Sequence, residues 1–199
     1  MEKRIAILTG DIVGSRTESP TTWLPALQEV LSQQTTKFDI FRGDSFQAEL
    51  HIEKAIIVAI SIKATMIALK LDARIGIGIG TKTHDAAHVK NSFGDALIYS
   101  GEAFDELKKD TLFLKSANEQ TNRLCNVILS LVTALTERWT PNMAITVKAA
   151  LEHTNLNQID LAKLLKKKHQ SQVSNELNKA SFAKIQEALA YCTQAILVS

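Results

Sequence analysis

The sequence predicts an α+β protein, and three observations lead to that class. Over residues 1–116, short β-rich runs alternate with runs whose apolar residues recur at helical spacing. A Gly-Asp pair within "FRGDSF", residues 41–46, separates two of the β-rich runs, as at the tip of a β-hairpin. From residue 117 the pattern is helical throughout. We therefore predict two domains, residues 1–116 and residues 117–199.

The elements of the first domain follow in order from these patterns. Strands are predicted at residues 4–10, twice within the hairpin at 38–50, at 72–80 and at 111–116. Helices are predicted at residues 21–35, with Thr21 or Thr22 as the N-cap, at 52–70 and at 92–109. The order strand, helix, hairpin, helix, strand is the split βαβ arrangement of a ferredoxin-like domain. An antiparallel sheet with its helices on one face would bury them most simply.

The second domain begins with a long helix predicted at residues 116–139. Its apolar stripe runs through Leu124, Ile128, Leu131 and Leu135. Pro141 then starts the next element, as proline favours the first turn of a helix. No Gly/Ser-rich tether marks the boundary near residue 116, so we expect a rigid helix to join the two domains.

Composition excludes several classes of protein. The chain of 199 residues is 45% hydrophobic and 22% charged, as in ordinary soluble globular proteins. A net charge of +2 does not by itself predict a nucleic-acid or membrane partner. No apolar run has the length of a membrane helix, and the first residues do not form a secretory signal. Cys125 and Cys192 lack metal-ligand spacing and are predicted to be reduced thiols in a cytoplasmic protein.

Two aspartates in Gly-Asp pairs are the first candidate site. In the split βαβ topology, strand one lies centrally, beside the first hairpin strand or the last strand. Asp11 at the end of strand one and Asp44 at the hairpin tip then fall on the same edge of the sheet. Two carboxylates suit a hard cation such as Mg²⁺ or Mn²⁺ that also binds substrate phosphates. The alternative is that both aspartates only stabilise turns.

Three segments of the first domain resemble a known family. "LTGDIVGS", "FRGDSF" and "ARIGIGIGT" occur in the order of the signature segments of class III nucleotide cyclase domains. "RGDSF" also resembles the hairpin motif of diguanylate cyclases. Over essentially its full length the chain is similar to the bacterial SatD family, through "GDIVGSR", "RGDSFQ", "RIGIGIG", "GEAF" and a helical C-terminus.

The resemblance to the cyclases assigns roles to residues around the two aspartates. It implies that Asp11 and Asp44 are the metal carboxylates and that Ile12 supplies a backbone carbonyl to Mg²⁺ or Mn²⁺. Exposed N–H groups at the Gly14-Ser15 turn could also hold a phosphate. The predicted nucleotide-binding residues are Gly14, Ser15, Gly43 and Arg74. For Arg74, the alternative is an exposed arginine at an edge of the sheet.

Three positions depart from the cyclase pattern. Ile40 stands where cyclases usually carry a polar residue that selects the purine. Ile98 and Glu102 stand where the cyclase helix carries an asparagine and an arginine. A glutamate cannot balance the negative charge that grows on a phosphate in the transition state. The resemblance therefore implies nucleotide and metal binding without efficient cyclisation, and no catalytic residue is assigned.

Two further motifs favour structural interpretations. His84 and His88 have a spacing that can bind Zn²⁺ on a helix, but they follow a strand and lack a clear third ligand. We therefore predict exposed loop histidines. The glycines of "GIGIG", residues 76–80, fit no phosphate-loop pattern. They are predicted to let a helix or a bound base approach the strand closely.

Residues 156–180 resemble the helix-turn-helix of bacterial regulators. The pattern is L-x-Q-x-x-L-A-x-x-L, a turn, then Q-S-x-V-S-x-x-L. Ala162 is small where the two helices would cross, and Val173 and Leu177 would pack back on the first helix. The predicted DNA-binding residues are Lys166, Lys167, Lys168, Gln170, Ser171, Gln172, Ser174 and Asn175. The alternative is a plain helical hairpin with a solvated lysine turn.

Together these patterns predict a cytoplasmic regulator. Its degenerate cyclase-like domain would respond to a nucleotide and a metal, and its helix-turn-helix would bind DNA, most simply as a homodimer. No membrane partner is expected. The alternative is an active, metal-dependent nucleotide cyclase or nucleotide-cleaving enzyme whose C-terminal helices serve dimerisation. A third possibility is a scaffold with no nucleotide affinity.

Overall fold

A computed structural model describes residues 4–199 and confirms the α+β class. The strands are β1 (Ile5–Val13), β2 (Phe38–Phe41), β3 (Ser45–Leu50), β4 (Asp72–Gly80) and β5 (Leu112–Lys115). The helices are α1 (Pro20–Ser32), α2 (Ile52–Ala68), α3 (Asp95–Asp105), α4 (Glu119–Thr136), α5 (Pro141–Glu152), α6 (Gln158–Leu164), α7 (Gln170–Lys179) and α8 (Phe182–Leu197). A short 3₁₀ helix covers Val89–Asn91.

The five strands form one sheet in the order β2-β3-β1-β4-β5. β1 is antiparallel to β3 and β4, and β2 is antiparallel to β3. β4 and β5 are parallel, because α3 carries the chain back between them. The prediction of a purely antiparallel sheet is therefore wrong. In the hairpin, it is the second strand that lies beside β1, whereas the first strand forms the outer edge.

Helices cover both faces of the sheet, which corrects the prediction that they lie on one face. On one face, alternate residues of β1 and β4, such as Leu8 and Ile77, join the main core with α1 and α2. On the other face, Ile5 and Ile7 form a smaller cluster with Ala96 of α3. Successive side chains of a strand point to opposite faces, so both faces of β1 are apolar and covered in its first half, Ile5–Leu8.

The glycines of β4 let α3 lie directly on the sheet. Close approach of a helix was one of the two alternatives predicted for them, the other being a bound base. A Cβ atom at Gly76 would fall less than 3.0 Å from the backbone of Ser100 and Phe104. A Cβ atom at Gly78 would meet the backbone of Ala96 and Ser100 at similarly forbidden distances. Because glycine has no side chain, α3 can pack closely on β4.

Two boundaries differ from the prediction, one through strand pairing and one through a helix cap. β1 runs on to Val13, because both neighbouring strands continue to pair with it beyond Gly10. α1 begins at Pro20, and its N-cap is Ser19 rather than Thr21 or Thr22. The side chain of Ser19 accepts a hydrogen bond from the backbone N–H of Thr21, which satisfies a donor that the first helical turn leaves free.

Lys63 of α2 is a buried cation that ties this helix to the sheet. Its Nζ donates to Asp72 Oδ1 at 2.6 Å, to Thr111 Oγ1 at 2.7 Å and to the carbonyl oxygen of Ala73 at 3.2 Å. Burial lowers the pKa of the Lys63 ammonium, and the charge of Asp72 acts in the opposite direction. The three hydrogen bonds give every hydrogen atom of the ammonium group an acceptor.

The C-terminal helices share the main core with the sheet. Buried residues of α4, α5 and α8, such as Leu129, Val147 and Leu189, belong to the same cluster as the apolar residues of α2. α4 also covers the outer edge of β5. The side-chain amide of Asn126 accepts from the backbone N–H of Leu114 at 2.7 Å and donates to its carbonyl oxygen at 2.9 Å.

The apolar stripe predicted on α4 does not coincide with its buried face. Leu124 and Leu131 are exposed, whereas Cys125, Leu129 and Val132 are buried. Cys192 on α8 is also buried, and both cysteines are free thiols. Among the described residues, no helix has the length and apolar character needed to cross a membrane.

Candidate functional site

The two Gly-Asp segments meet at one end of the sheet, where β1 passes the tip of the β2–β3 hairpin. In the register of β1 and β3, Asp11 lies opposite Ser45, the residue that follows Asp44. The backbone N–H of Ile12 donates to the carbonyl oxygen of Asp44 at 3.2 Å. Two segments that are distant in the sequence therefore place their aspartates side by side.

Arg74 of β4 neutralises Asp11. The two residues are opposite each other in the antiparallel register of β1 and β4. Arg74 Nε donates to Asp11 Oδ1 at 2.9 Å, and its Nη2 donates to Asp11 Oδ2, which makes the pair bidentate. The guanidinium carbon lies 5.5 Å from the centre of the Phe104 ring. The hydrogen bond with Asp11 raises the pKa of Arg74, burial opposes this, and the charges of Asp11 and Asp44 reinforce it.

Ser15 joins Asp44 to the same site. Its hydroxyl donates to Asp44 Oδ2 at 2.5 Å, and its side chain is buried beneath the turn that follows β1. Gly14 permits this turn, since its φ of 79° lies in the left-handed region. Gly43, with φ of 92°, forms the open tip of the hairpin. We call Asp11, Ser15, Asp44 and Arg74 the Asp–Arg cluster.

A row of polar side chains lies beside the cluster, and no sequence motif predicts it. Gln47 Nε2 donates to Thr9 Oγ1 at 3.1 Å, and the hydroxyls of Thr9 and Ser100 are 2.9 Å apart. Thr9 and Asp11 point to the same face of β1, as alternate residues of a strand do. The signal in the sequence is a polar residue at every second position of strands that are otherwise apolar.

The cluster offers oxygen ligands for a cation, but one carboxylate is already paired. Carboxylates and backbone carbonyls are the donors that Mg²⁺ and Mn²⁺ prefer. Arg74 binds both oxygens of Asp11, so the guanidinium competes with a cation for that carboxylate. The carbonyl oxygen of Ile12 accepts from the N–H of Ser15 at 3.4 Å. Within residues 4–199, no group of three or more His, Cys, Asp and Glu side chains has metal-binding geometry.

The positions that depart from the cyclase pattern have other roles in the fold. Ile40 of β2 packs against the main core. Ile98 is 57% exposed on α3. Glu102 pairs with Lys115 of β5 at 3.0 Å. None of these three side chains supplies a positive charge to the Asp–Arg cluster.

The two histidines lie in the loop between β4 and α3, where the sequence predicts them. His84 pairs through its backbone with Phe93. His88 Nδ1 lies 2.7 Å from Asp39 Oδ1 on β2. Burial raises the pKa of Asp39, but hydrogen bonds from His88 and from the backbone N–H of Lys90 outweigh it, and the pKa is lowered overall. His88 thus attaches the loop to the edge of the sheet.

α6 and α7 form a compact pair joined by a short turn at residues 165–169. Lys166 has a φ of 52°, which turns the chain sharply between the helices. Leu161 and Ala162 of α6 are buried, and so are Val173 and Leu177 of α7. These are the contacts expected where the second helix packs back on the first.

The predicted DNA-binding residues divide into two groups in this pair. Lys167 forms an ion pair with Glu176 at 2.7 Å, and Gln172 accepts from the backbone N–H of His169 at 3.1 Å. Those two side chains stabilise the turn, and Ser174 is half-buried. The exposed members are Lys166, Lys168, Gln170, Ser171, Asn175 and also Gln172, whose side chain holds the turn as well.

Comparison with known proteins adds no family to this description. No family model matches the chain, and no curated protein matches its sequence. The case for a function therefore rests on two places, the Asp–Arg cluster and the exposed face of α7.

Proposed function

We propose that the protein is a cytoplasmic regulator that binds a phosphorylated nucleotide at the Asp–Arg cluster and DNA through α6 and α7. The observation that carries the proposal is the convergence of Asp11, Ser15, Asp44 and Arg74 at one end of the sheet. A guanidinium and a hydroxyl are groups that recognise phosphate, and backbone N–H groups near Gly14 add to them.

The strand order supports the resemblance to nucleotide cyclase domains. The order β2-β3-β1-β4, with α1 and α2 on one face, is the order expected for the ferredoxin-like core that we propose. α3 and β5 extend that core on the other face and at one edge. In cyclases this core carries the nucleotide, and the residues of the Asp–Arg cluster come from the three segments that resemble the cyclase signatures.

A divalent cation is part of the proposal. Asp11, Asp44 and the backbone carbonyl of Ile12 would hold Mg²⁺ or Mn²⁺, with Arg74 as a competitor for Asp11. When bound, the cation would supply positive charge opposite the phosphate oxygens. Glu102 stands at the cyclase arginine position and is paired with Lys115, so we propose binding without efficient cyclisation.

Nucleotide binding is tested by thermal unfolding with ATP or GTP, each with Mn²⁺. A nucleotide at a hundred times its Kd should stabilise the protein by about 2.7 kcal/mol. That corresponds to a rise in Tm of about 5–10 °C for a chain of this size. Asp11→Asn and Asp44→Asn should each abolish the rise, because each removes one of the two carboxylates.

Asp85→Asn is the matched control for those variants. Asp85 is also an aspartate paired with cations, Lys37 and Lys82, but it lies in the β4–α3 loop. The Asp85 variant should keep the full rise in Tm. Equal loss in all three variants, or no rise in the wild type, would contradict the nucleotide site. Turnover of the nucleotide that disappears in Asp44→Asn would instead favour the enzyme.

The DNA-binding part of the proposal rests on the exposed face of α7 and the turn before it. Gln170, Ser171 and Asn175 are residue types that contact phosphates and base edges. Lys166 and Lys168 flank them and are exposed. Lys166→Gln/Lys168→Gln should weaken DNA retention and reduce the slope of log K against log salt by about 2, since each phosphate contact contributes about 0.9.

Lys108→Gln/Lys109→Gln is the control for the DNA experiment. These two lysines are also exposed and close together, but they follow α3 in the sheet half of the chain. The control should leave both the affinity and the salt slope at their wild-type values. The same loss in both double variants would show that only net charge attracts DNA and would rule out a specific role for α7.

A further inference from the structure

The outward face of α4 is apolar, and no element of residues 4–199 covers it. Leu124, Val127 and Leu131 are 39%, 64% and 64% exposed. Their spacing of three and then four residues is that of the seam between two packed helices. The α4 seam, as we call it, comprises Gln120, Leu124, Val127, Leu131 and Ala134 of α4 and Arg138 of the turn that follows the helix.

The apolar surface continues from the α4 seam onto α8. Ile128 and Leu135 are half-buried beside the seam, and Tyr191 of α8 lines the same shallow groove. A contiguous exposed patch of this kind marks an interaction surface. Since α4 is attached to the core through the opposite face of the helix, the seam is not needed for the fold of a single chain.

We propose that the α4 seam binds the α4 seam of a second copy of this chain, with the two helices antiparallel about a two-fold axis. α4 has 18 residues and is therefore about 27 Å long. The two-fold axis would pass between Val127 and Leu131. Val127 of each chain would then pack against Leu131 of the other chain. The apolar layers of the two seams would then interlock along the helix.

The charges beside the seam favour a second copy and set its direction. In the antiparallel arrangement, Arg123 would lie beside Glu137 of the partner subunit, which is the exposed C-cap of α4, and symmetry would form this pair twice. Arg138 at one end of the seam lies beside Gln120 of the partner subunit. A parallel arrangement would instead bring Arg138 against Arg138 of the partner subunit, which is repulsive. The face is thus complementary to itself in one orientation.

This inference does not rest on the proposed function. The seam residues take no part in the Asp–Arg cluster or in α7, so the dimer forms with or without nucleotide and DNA. Two copies joined through α4 would nevertheless fix the separation of their α7 helices. That separation is the quantity that sets the spacing of two DNA half-sites.

Sedimentation equilibrium of the full chain tests the dimer. The wild type should be a dimer, and Leu131→Glu should weaken it at least about a hundredfold, because each dimer would bury two glutamates. Ile159→Glu on α6 replaces a similarly exposed isoleucine, 58% exposed, and should leave the dimer unchanged. A monomeric wild type, or a dimer that Leu131→Glu does not weaken, would overturn the proposal, provided that the variant keeps the wild-type circular dichroism.

Charge reversal tests the antiparallel direction. Arg123→Glu alone and Glu137→Arg alone should each weaken the dimer about tenfold, because each creates two like-charge pairs. The double variant Arg123→Glu/Glu137→Arg should restore the wild-type Kd, because the pairs re-form with their signs exchanged. Additive weakening in the double variant would overturn the antiparallel seam.

Discussion

Replacing Lys63 by methionine is expected to lower the free energy of unfolding by about 3 kcal/mol. Methionine fills a similar volume but cannot donate to Asp72, Thr111 or the carbonyl oxygen of Ala73. Asp72 Oδ1 would keep only the backbone N–H of Ala73 as a donor, and the carboxylate would lose its counter-charge. Denaturant unfolding followed by circular dichroism measures the change.

Lys54→Met provides the comparison, since Lys54 lies on the same helix but is exposed. Its effect should be within about 0.5 kcal/mol. Adding Asp72→Leu to Lys63→Met should recover part of the loss, because the unpaired carboxylate is then removed as well. Equal stability of the Lys63 and Lys54 variants would show that the buried ammonium does not hold α2 to the sheet.

Gly78→Ala is expected to destabilise the protein by about 3 kcal/mol, a large effect for one methyl group. The added Cβ would overlap the backbone of Ala96 and Ser100, so α3 would have to move away from the sheet. For a chain of this size the Tm should fall by about 6–12 °C. Thermal unfolding by calorimetry measures this shift.

Gly101→Ala is a control with the opposite sign. Gly101 lies within α3, and apart from its chain neighbours and the backbone of its own helix, no atom of the described residues lies within 4 Å of its added Cβ. Alanine is favoured over glycine inside a helix, so this variant should gain about 0.5–1 kcal/mol. A Gly78→Ala protein as stable as the wild type would mean that α3 is not seated on the glycines of β4.

Strong local patterns made part of this fold predictable. The strand at residues 72–80 has the bounds that its alternating glycines predicted, and the hairpin turns where "RGD" indicates. The end of β1 was missed because Asp11 looks like a turn residue. It remains in the strand because Ser45 and Arg74 pair with it from both sides. Pairing of this kind depends on partners that are distant in the sequence.

The same limit applies to the candidate site. The two Gly-Asp pairs predict that Asp11 and Asp44 lie at the same edge of the sheet, and the segments that carry them do converge. The bidentate pair between Asp11 and Arg74 depends on the register of β1 and β4, which periodicity alone does not reveal. On α4, apolar residues occur on two faces, so the pattern could not show which face contacts the core. There, polar residues such as Thr121 and Asn122 lie on the buried face.

The amide of Asn126 also bears on how this protein can aggregate. An edge strand with free backbone N–H and C=O groups can pair with a strand of another molecule, and many β-sheets aggregate edge to edge in this way. At Leu114 the asparagine already occupies both backbone groups, so an added strand would have to displace α4. Growth of the sheet at β5 is therefore blocked by a side chain of the helix that covers this edge.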